Sequence, residues 1–230
     1  MADPSTSHDV NVNGTLRLLE FARDTDLRRI VIASSSSVYG NTPTLPKHED
    51  MVPQPVSPYA VSKLVCEDYA RVWHEAFGVR TVCLRYFNVF GPRQDPTSQY
   101  SAVIPLFVTA ILGGDRPTIF GDGLTSRDFC YIDNVVEANL LACTAAEEAC
   151  GQVFNIACNA RVTLNDLVAE INNVLGANIE PLYAEERPGD VKYSLAAIEK
   201  AERLLGYSVH ADFAAGLELA IEWYRRQTPE

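Results

Sequence analysis

The sequence predicts an α/β fold with a parallel sheet, and three observations carry that expectation. An apolar run, Ile30-Val31-Ile32, leads into hydroxyls at Ser34 to Ser37, so a buried strand delivers polar groups to one sheet edge. Ser57-Pro58 then opens a long helical stretch that places Tyr59 and Lys63 one turn apart on one face. Beyond it Arg80 to Tyr86 reads as another strand, so helix, strand, helix and strand alternate as in half of a doubly wound fold.

Each element has a local reason. Met1 to Asp9 is polar and reads as the tail of a loop; Val12, Leu16, Leu19 and Ala22 then share a helical face that ends near Asp24-Thr25-Asp26. Ile30 to Ala33 is a short buried strand. Pro43, Pro46, Pro53 and Pro55 make Asn41 to Val56 an irregular loop, and the helix from Pro58 stops at Gly78. Ser101 to Leu112 is a helix ended by Gly113-Gly114, and Pro117 to Phe120 a short strand closed by the turn Gly121-Asp122-Gly123. Asp133 is expected to cap a helix reaching Ala146, and Gln152 to Ala157 to form a strand. Thr163 with Asp166 is a variant capping box for a helix to Leu175. Ile179 to Tyr183 reads as a strand, Leu195 to Leu205 as a helix ended by Gly206, and Phe213 to Arg226 as a closing amphipathic helix.

Composition narrows the function. At 230 residues, 47% of them apolar, the chain is long enough for one or two cores. A net charge of −11 supplies no basic footprint for nucleic acid or an anionic membrane surface. Cys66, Cys83, Cys130, Cys143, Cys150 and Cys158 show no CxxC pair or zinc spacing, and His8, His48, His74 and His210 are far apart, so no metal site is read. The cysteines read as reduced thiols of a cytoplasmic protein. No signal-like stretch opens the chain, and no apolar run reaches the 18 or so residues of a membrane span.

The Tyr59 and Lys63 spacing brings a phenol and an ammonium together. A free phenol titrates near pH 10, so making it a base at neutral pH takes roughly 4 kcal/mol, which a nearby fixed cation supplies. Alone, the spacing is far more often an ordinary surface pair on an amphipathic helix. A serine-tipped strand, a proline-rich loop and this pair in that order are much harder to obtain by chance.

With those residues, and with Asn11-Val12-Asn13-Gly14-Thr15, Arg85-Tyr86-Phe87-Asn88-Val89-Phe90-Gly91-Pro92, Arg127-Asp128-Phe129 and Arg187-Pro188-Gly189-Asp190, the chain resembles the extended short-chain dehydrogenase/reductase family, and within it the nucleotide-sugar 4-epimerases. The serine run is most similar to the UDP-N-acetylglucosamine 4-epimerase subgroup, with UDP-glucose and UDP-glucuronate epimerases as alternatives. The resemblance implies the carboxyl-terminal part of a Rossmann-like parallel sheet with a smaller mixed α/β substrate-binding lobe. Residues 1–87 would belong to the NAD-binding domain and 88–230 mainly to a UDP-sugar lobe, with about 125–158 returning to the first. The front departs from the family, because no GxGxxG or GxxGxxG occurs anywhere. The sequence therefore looks like an epimerase without its first βα units, and the pyrophosphate contacts to NAD would have to come from elsewhere.

By resemblance, Tyr59 is the base at the sugar 4-hydroxyl, Lys63 lowers its pKa and holds the nicotinamide ribose, and Ser35 bonds the 4-hydroxyl. Ser34, Tyr86 and Phe87 would lie near the cofactor; strand-end packing is the plainer reading of the last two. Ser36 and Asn88 would meet the sugar nucleotide, Ala102 and Val103 the uridine side, and Thr118 and Phe120 the uracil. Arg127 and Arg187 suit the diphosphate because a guanidinium donates a planar pair of bonds, and Asp190 would bind the uridine ribose. Ser194 stands where a small residue admits an N-acetyl group, and it equally fits the cap of the helix expected from Leu195.

Dehydratases of the family carry an Asp-Glu pair where Ser36-Ser37 stands here, and decarboxylases a glutamate in the same segment, so epimerase is preferred to both. A non-catalytic UDP-binding or dimerising fragment is the alternative of a different kind. The family's helices around Asn13 to Arg23 and Pro58 to Phe77 pack into a four-helix bundle, which implies a homodimer.

Overall fold

The computed structural model describes residues 3–25, 27–95, 103–186 and 192–227. The central sheet has three parallel strands in the order β1 (Ile30–Ser35), β2 (Thr81–Tyr86), β7 (Gln152–Ile156). Its register sets Ser34 beside Arg85 and Asn155, and Ser35 beside Tyr86 and Ile156. In a parallel sheet such a row shares one face, so the two serines point to opposite sides.

One face is covered by α2 (Gly14–Asp24) and α3 (Pro58–Phe77), with Leu19, Ile32, Cys66, Ala70 and Cys83 buried between them. Helix α3 begins as expected: Ser57 Oγ accepts from Ala60 N at 3.1 Å, Pro58 is in the first turn, and Gly78 closes the far end at φ 69°. The other face is covered by α5 (Ile132–Thr144) and α7 (Glu199–Leu205) around Leu84, Phe154, Ala138 and Ala201. Arg29, just before β1, caps α5 by donating Nη1 to Ala142 O and Ala145 O at 2.9 and 2.7 Å.

A second core joins α4 (Val103–Leu112), α6 (Leu164–Leu175) and α8 (Phe213–Gln227) around Phe90, Phe129, Ile171 and Leu217. Three small pairings edge this lobe. β3 (Asn88–Phe90) lies parallel to β6 (Phe129–Tyr131), β4 (Thr118–Phe120) parallel to β9 (Leu182–Ala184), and β5 (Ser126–Arg127) antiparallel to β8 (Val162–Thr163). The capping box of Thr163 and Asp166 is present at α6.

Four expectations are corrected. The start of the chain is helical: Asp3 caps α1 (Pro4–His8), Pro4 fits its first turn, and a π-turn over Asp9–Asn13 joins it to α2. Helix α5 begins at Ile132, so Asp133 lies in its first turn and Tyr131 takes the cap position without a side-chain bond. The strand expected from Ile179 begins at Leu182, because Asn172 holds both the N–H and the C=O of Ile179, at 3.0 Å each. Helix α7 begins at Glu199 because the segment before it pairs with the proline-rich loop: Lys47 N donates to Leu195 O and Ala197 N to Lys47 O, both at 2.8 Å. Ser194 is therefore not a helix cap.

The buried polar side chains hold this frame. Glu67 of α3 takes both a bidentate pair from Arg85, at 2.9 and 2.7 Å, and the Ser34 hydroxyl. Burial lowers the Arg85 guanidinium, but the bonds and charge of Glu67 outweigh it and hold it above its ordinary range. Arg85 also lies 4.7 Å from the centroid of the Tyr39 ring. Asp128 accepts from Cys158 N and Ala196 N at 2.9 and 3.0 Å, joining the sheet to the lobe, and burial pushes its carboxyl up to about 6.

Candidate active site

The site begins where β1 ends. Lys63 Nζ donates to Ala33 O at 3.0 Å and lies 5.8 Å from the centroid of the Tyr59 ring. One ammonium thus connects the first turn of α3 to the strand that carries Ser35, two residues on. Ser35 Oγ accepts from Ser37 N at 3.2 Å, which commits one lone pair and leaves the hydroxyl proton to donate. Tyr59 is 42% exposed, open to a ligand on that side.

A second group supports the pair from outside. Asn11, in the π-turn, donates Nδ2 to Ser62 Oγ at 3.0 Å, and Ser62 donates to Tyr59 O at 2.8 Å. Cys66 Sγ donates to Asn11 O at 3.2 Å. The π-turn therefore grips α3 on either side of Lys63, a common place for such a turn.

The lobe supplies a cavity of about 310 Å³. Asn88, Val103, Thr118, Phe120 and Arg127 line it, five residues singled out in the sequence, brought together from β3, α4, β4 and β5. Leu106, Thr125 and Leu164 also line it and were missed, since nothing in their local sequence marks them. Its size and mixed lining suit a small polar ligand with one flat apolar part. Arg127 Nη1 is held by Ser126 O at 3.0 Å, and Ser126 O also accepts from Ser194 N at 3.1 Å. Ser194, 8% exposed, is thus fixed against the strand of Arg127.

Other singled-out residues do not join the cluster. Ser34 faces α3 and is spent on Glu67. Phe87 is buried and packs on Tyr39, with ring centroids 6.2 Å apart, so packing is its visible role. Tyr86 Oη donates to Asn139 Oδ1 of α5 at 3.0 Å, on the face away from Ser34. Ser36 is half-buried in the turn after Ser35. Ala102, Arg187 and Asp190 lie outside the described residues. Among the described residues no cluster of His, Cys, Asp and Glu could hold a metal, and no helix is long and apolar enough to cross a membrane.

A parallel α/β sheet with Ser35 at the end of β1, and a helix whose Lys63 bonds that strand and lies beside Tyr59, is the frame of an enzyme of the short-chain dehydrogenase type. The model of the NAD dependent epimerase/dehydratase family matches residues 1–157, and the chain belongs to that family. It is 35% identical over 227 residues to UDP-glucose 4-epimerase of Mycolicibacterium smegmatis, covering 98% of this chain and 72% of that one. It is 31% identical over 227 residues to UDP-glucuronate 4-epimerase of Thermodesulfobacterium geofontis, covering 97% and 67%. Among solved structures, UDP-N-acetylglucosamine 4-epimerase from Methanobrevibacter ruminantium M1, in complex with UDP-N-acetylmuramic acid, superposes with a TM-score of 0.94 at 39% identity, over 99% of this chain and 72% of that one. All three are named for 4-epimerisation of a UDP-sugar; they differ in the sugar.

Proposed function

We propose that the chain interconverts UDP-N-acetylglucosamine and UDP-N-acetylgalactosamine by NAD-dependent epimerisation at C4. The observation that supports the chemistry is the Lys63 ammonium, which is bonded to Ala33 O, two residues before Ser35, and lies 5.8 Å from the centroid of the Tyr59 ring. NAD, when bound, supplies the reversible oxidation at C4 that gives a transient 4-keto sugar. The residues present fit its nicotinamide end, because Lys63 spends one of three donors on Ala33 O and offers the others to ribose hydroxyls. The sequence has no glycine-rich turn for the pyrophosphate.

Tyr59 takes the proton of the 4-hydroxyl, and Ser35 donates to the same oxygen and fixes its direction. Asn88 meets the sugar nucleotide. Val103 and Ala102 border the uridine, Thr118 and Phe120 flank the uracil, Arg127 and Arg187 neutralise the diphosphate, and Asp190 binds the uridine ribose. Anchoring the nucleotide in the lobe would let the sugar turn while its diphosphate end stays fixed.

Ser194 supports the choice of N-acetylated sugar. It is small, buried and pinned beside Arg127, so a larger side chain there has little room to withdraw. Ser194→Tyr is expected to reduce turnover of UDP-N-acetylglucosamine more than about 10-fold while leaving UDP-galactose within about threefold, since the added side chain would take the volume an acetamide needs and a hydroxyl does not. Equal loss on both sugars, read by chromatography of the products, would assign Ser194 to folding instead.

The proposed assembly is a homodimer. Leu18 and Phe21 on α2 and Val61, Val72 and Phe77 on α3 are exposed, an apolar surface that a two-fold helical bundle would cover. Light scattering at micromolar concentration is expected to give twice the chain mass; a monomer alone removes the proposal.

A further inference from the structure

Arg127 and Ser194 owe their places to one ribbon of backbone. Ser126 N donates to Lys192 O at 2.9 Å and Ser194 N to Ser126 O at 3.1 Å, so the segment 192–194 runs parallel beside β5. On its other edge β5 pairs with β8, Ser126 opposite Thr163 and Arg127 opposite Val162. The ribbon ends at Asp128, where the chain leaves β5 for β6.

There a side chain continues what the backbone stops. Asp128 Oδ2 accepts from Ala196 N at 3.0 Å, the next rung after Ser194. Oδ1 accepts from Cys158 N at 2.9 Å, on the side that leads into β8. The N–H groups of Asn159 and Ala160 add to this second set, and Asn159 takes φ 52°, a left-handed turn of the kind that gathers successive N–H groups around an anion. Asp128 is fully buried and does not line the cavity that Arg127 lines, so it meets no ligand there itself.

We propose that Asp128 is a positioning residue for nucleotide-sugar recognition, its carboxylate holding the strand of Arg127 and the segment of Ser194 at a fixed separation. This rests on the epimerase reading above, in which those two residues serve the diphosphate and the N-acetyl group. Only a carboxylate suffices, because both oxygens must accept. An asparagine accepts on one oxygen and turns an NH2 toward the other N–H. The second buried acid, Glu67, has no such reach, since its partners Arg85 and Ser34 lie in the central sheet.

The test is calorimetric titration of UDP and UDP-N-acetylglucosamine into the wild-type chain, Asp128→Asn and Leu19→Ala, at a temperature where circular dichroism shows all three folded. Leu19→Ala opens a cavity in the core beneath α2 and destabilises the chain without touching the ribbon. Asp128→Asn is expected to bind both ligands about 5- to 20-fold more weakly, with Leu19→Ala within about twofold of wild type. Unchanged affinities in Asp128→Asn, or an equal loss in Leu19→Ala, overturn the proposal. Hydrogen exchange of the wild-type chain keeps the matter open to test should Asp128→Asn not fold. Positioning and binding are reciprocal, so saturating UDP-N-acetylglucosamine should slow the Ser194, Ala196 and Cys158 amides about threefold or more, with those of β1 and β2 within about twofold. No slowing at those three amides overturns the proposal as well. If the wild-type chain binds neither ligand, the epimerase reading itself fails and the proposal goes with it.

Discussion

Tyr59→Phe is expected to lower turnover of UDP-N-acetylglucosamine by about 100-fold or more, the scale of losing a positioned proton acceptor. Binding of the UDP-sugar should stay within about twofold, because the nucleotide anchors proposed for the lobe are untouched. The fold should also survive: the ring sits in the first turn of α3 with 42% exposure, and the capping bond from Ala60 N to Ser57 Oγ does not involve the phenol. The Lys63 bond to Ala33 O remains as well. Steady-state kinetics beside calorimetric binding separates the two effects. Residual turnover above about a tenth of wild type would remove Tyr59 as the base.

The largest loss of stability is expected at Arg85. Its side chain and that of Glu67 are each 4% exposed, so Arg85→Met leaves a carboxylate buried with only the Ser34 hydroxyl near it. Breaking such a pair from one side costs about 3–5 kcal/mol. For a chain of this size that is a fall in melting temperature of roughly 6–20 °C. The double variant Arg85→Met with Glu67→Gln should recover part of it, since no buried charge is then left alone. Thermal melts followed by circular dichroism decide the matter: a single variant within about 1 kcal/mol of wild type would mean that water reaches the pair.

What was legible in the sequence is what local chemistry decides. Ser57, Pro58 and Gly78 bound α3 because a cap, a fixed φ and a left-handed stop act within one turn of themselves, and Thr163 with Asp166 does the same for α6. Tyr59 and Lys63 were legible for that reason, since helical spacing alone puts them together. Asn88, Thr118, Phe120 and Arg127 were reachable only through the family motifs, yet they line one cavity. The helix expected from Leu195 failed because backbone pairing with Lys47, far back in the chain, outweighs a helical pattern. The Glu67 and Arg85 pair was also missed, although an arginine inside the apolar strand Thr81–Tyr86 is itself a sign that a buried acid waits on the next layer.

The stitching of Lys47, Asn155 and Ala197 bears on the order in which the chain acquires its shape. Asn155 Nδ2 donates to Lys47 O and Ala197 O at 2.9 and 3.1 Å, and Asn155 N donates to Glu49 Oε1 at 2.7 Å. The loop behind the serine turn thus draws its partners from β7 and from the segment just before α7. Contacts so distant in sequence bear a large loop-closure entropy, so they form late. During synthesis α3 and β2 can pack on β1 early, while this loop stays unpaired until the last fifth of the chain has emerged. The serines are therefore placed by β1 and secured by contacts that form later.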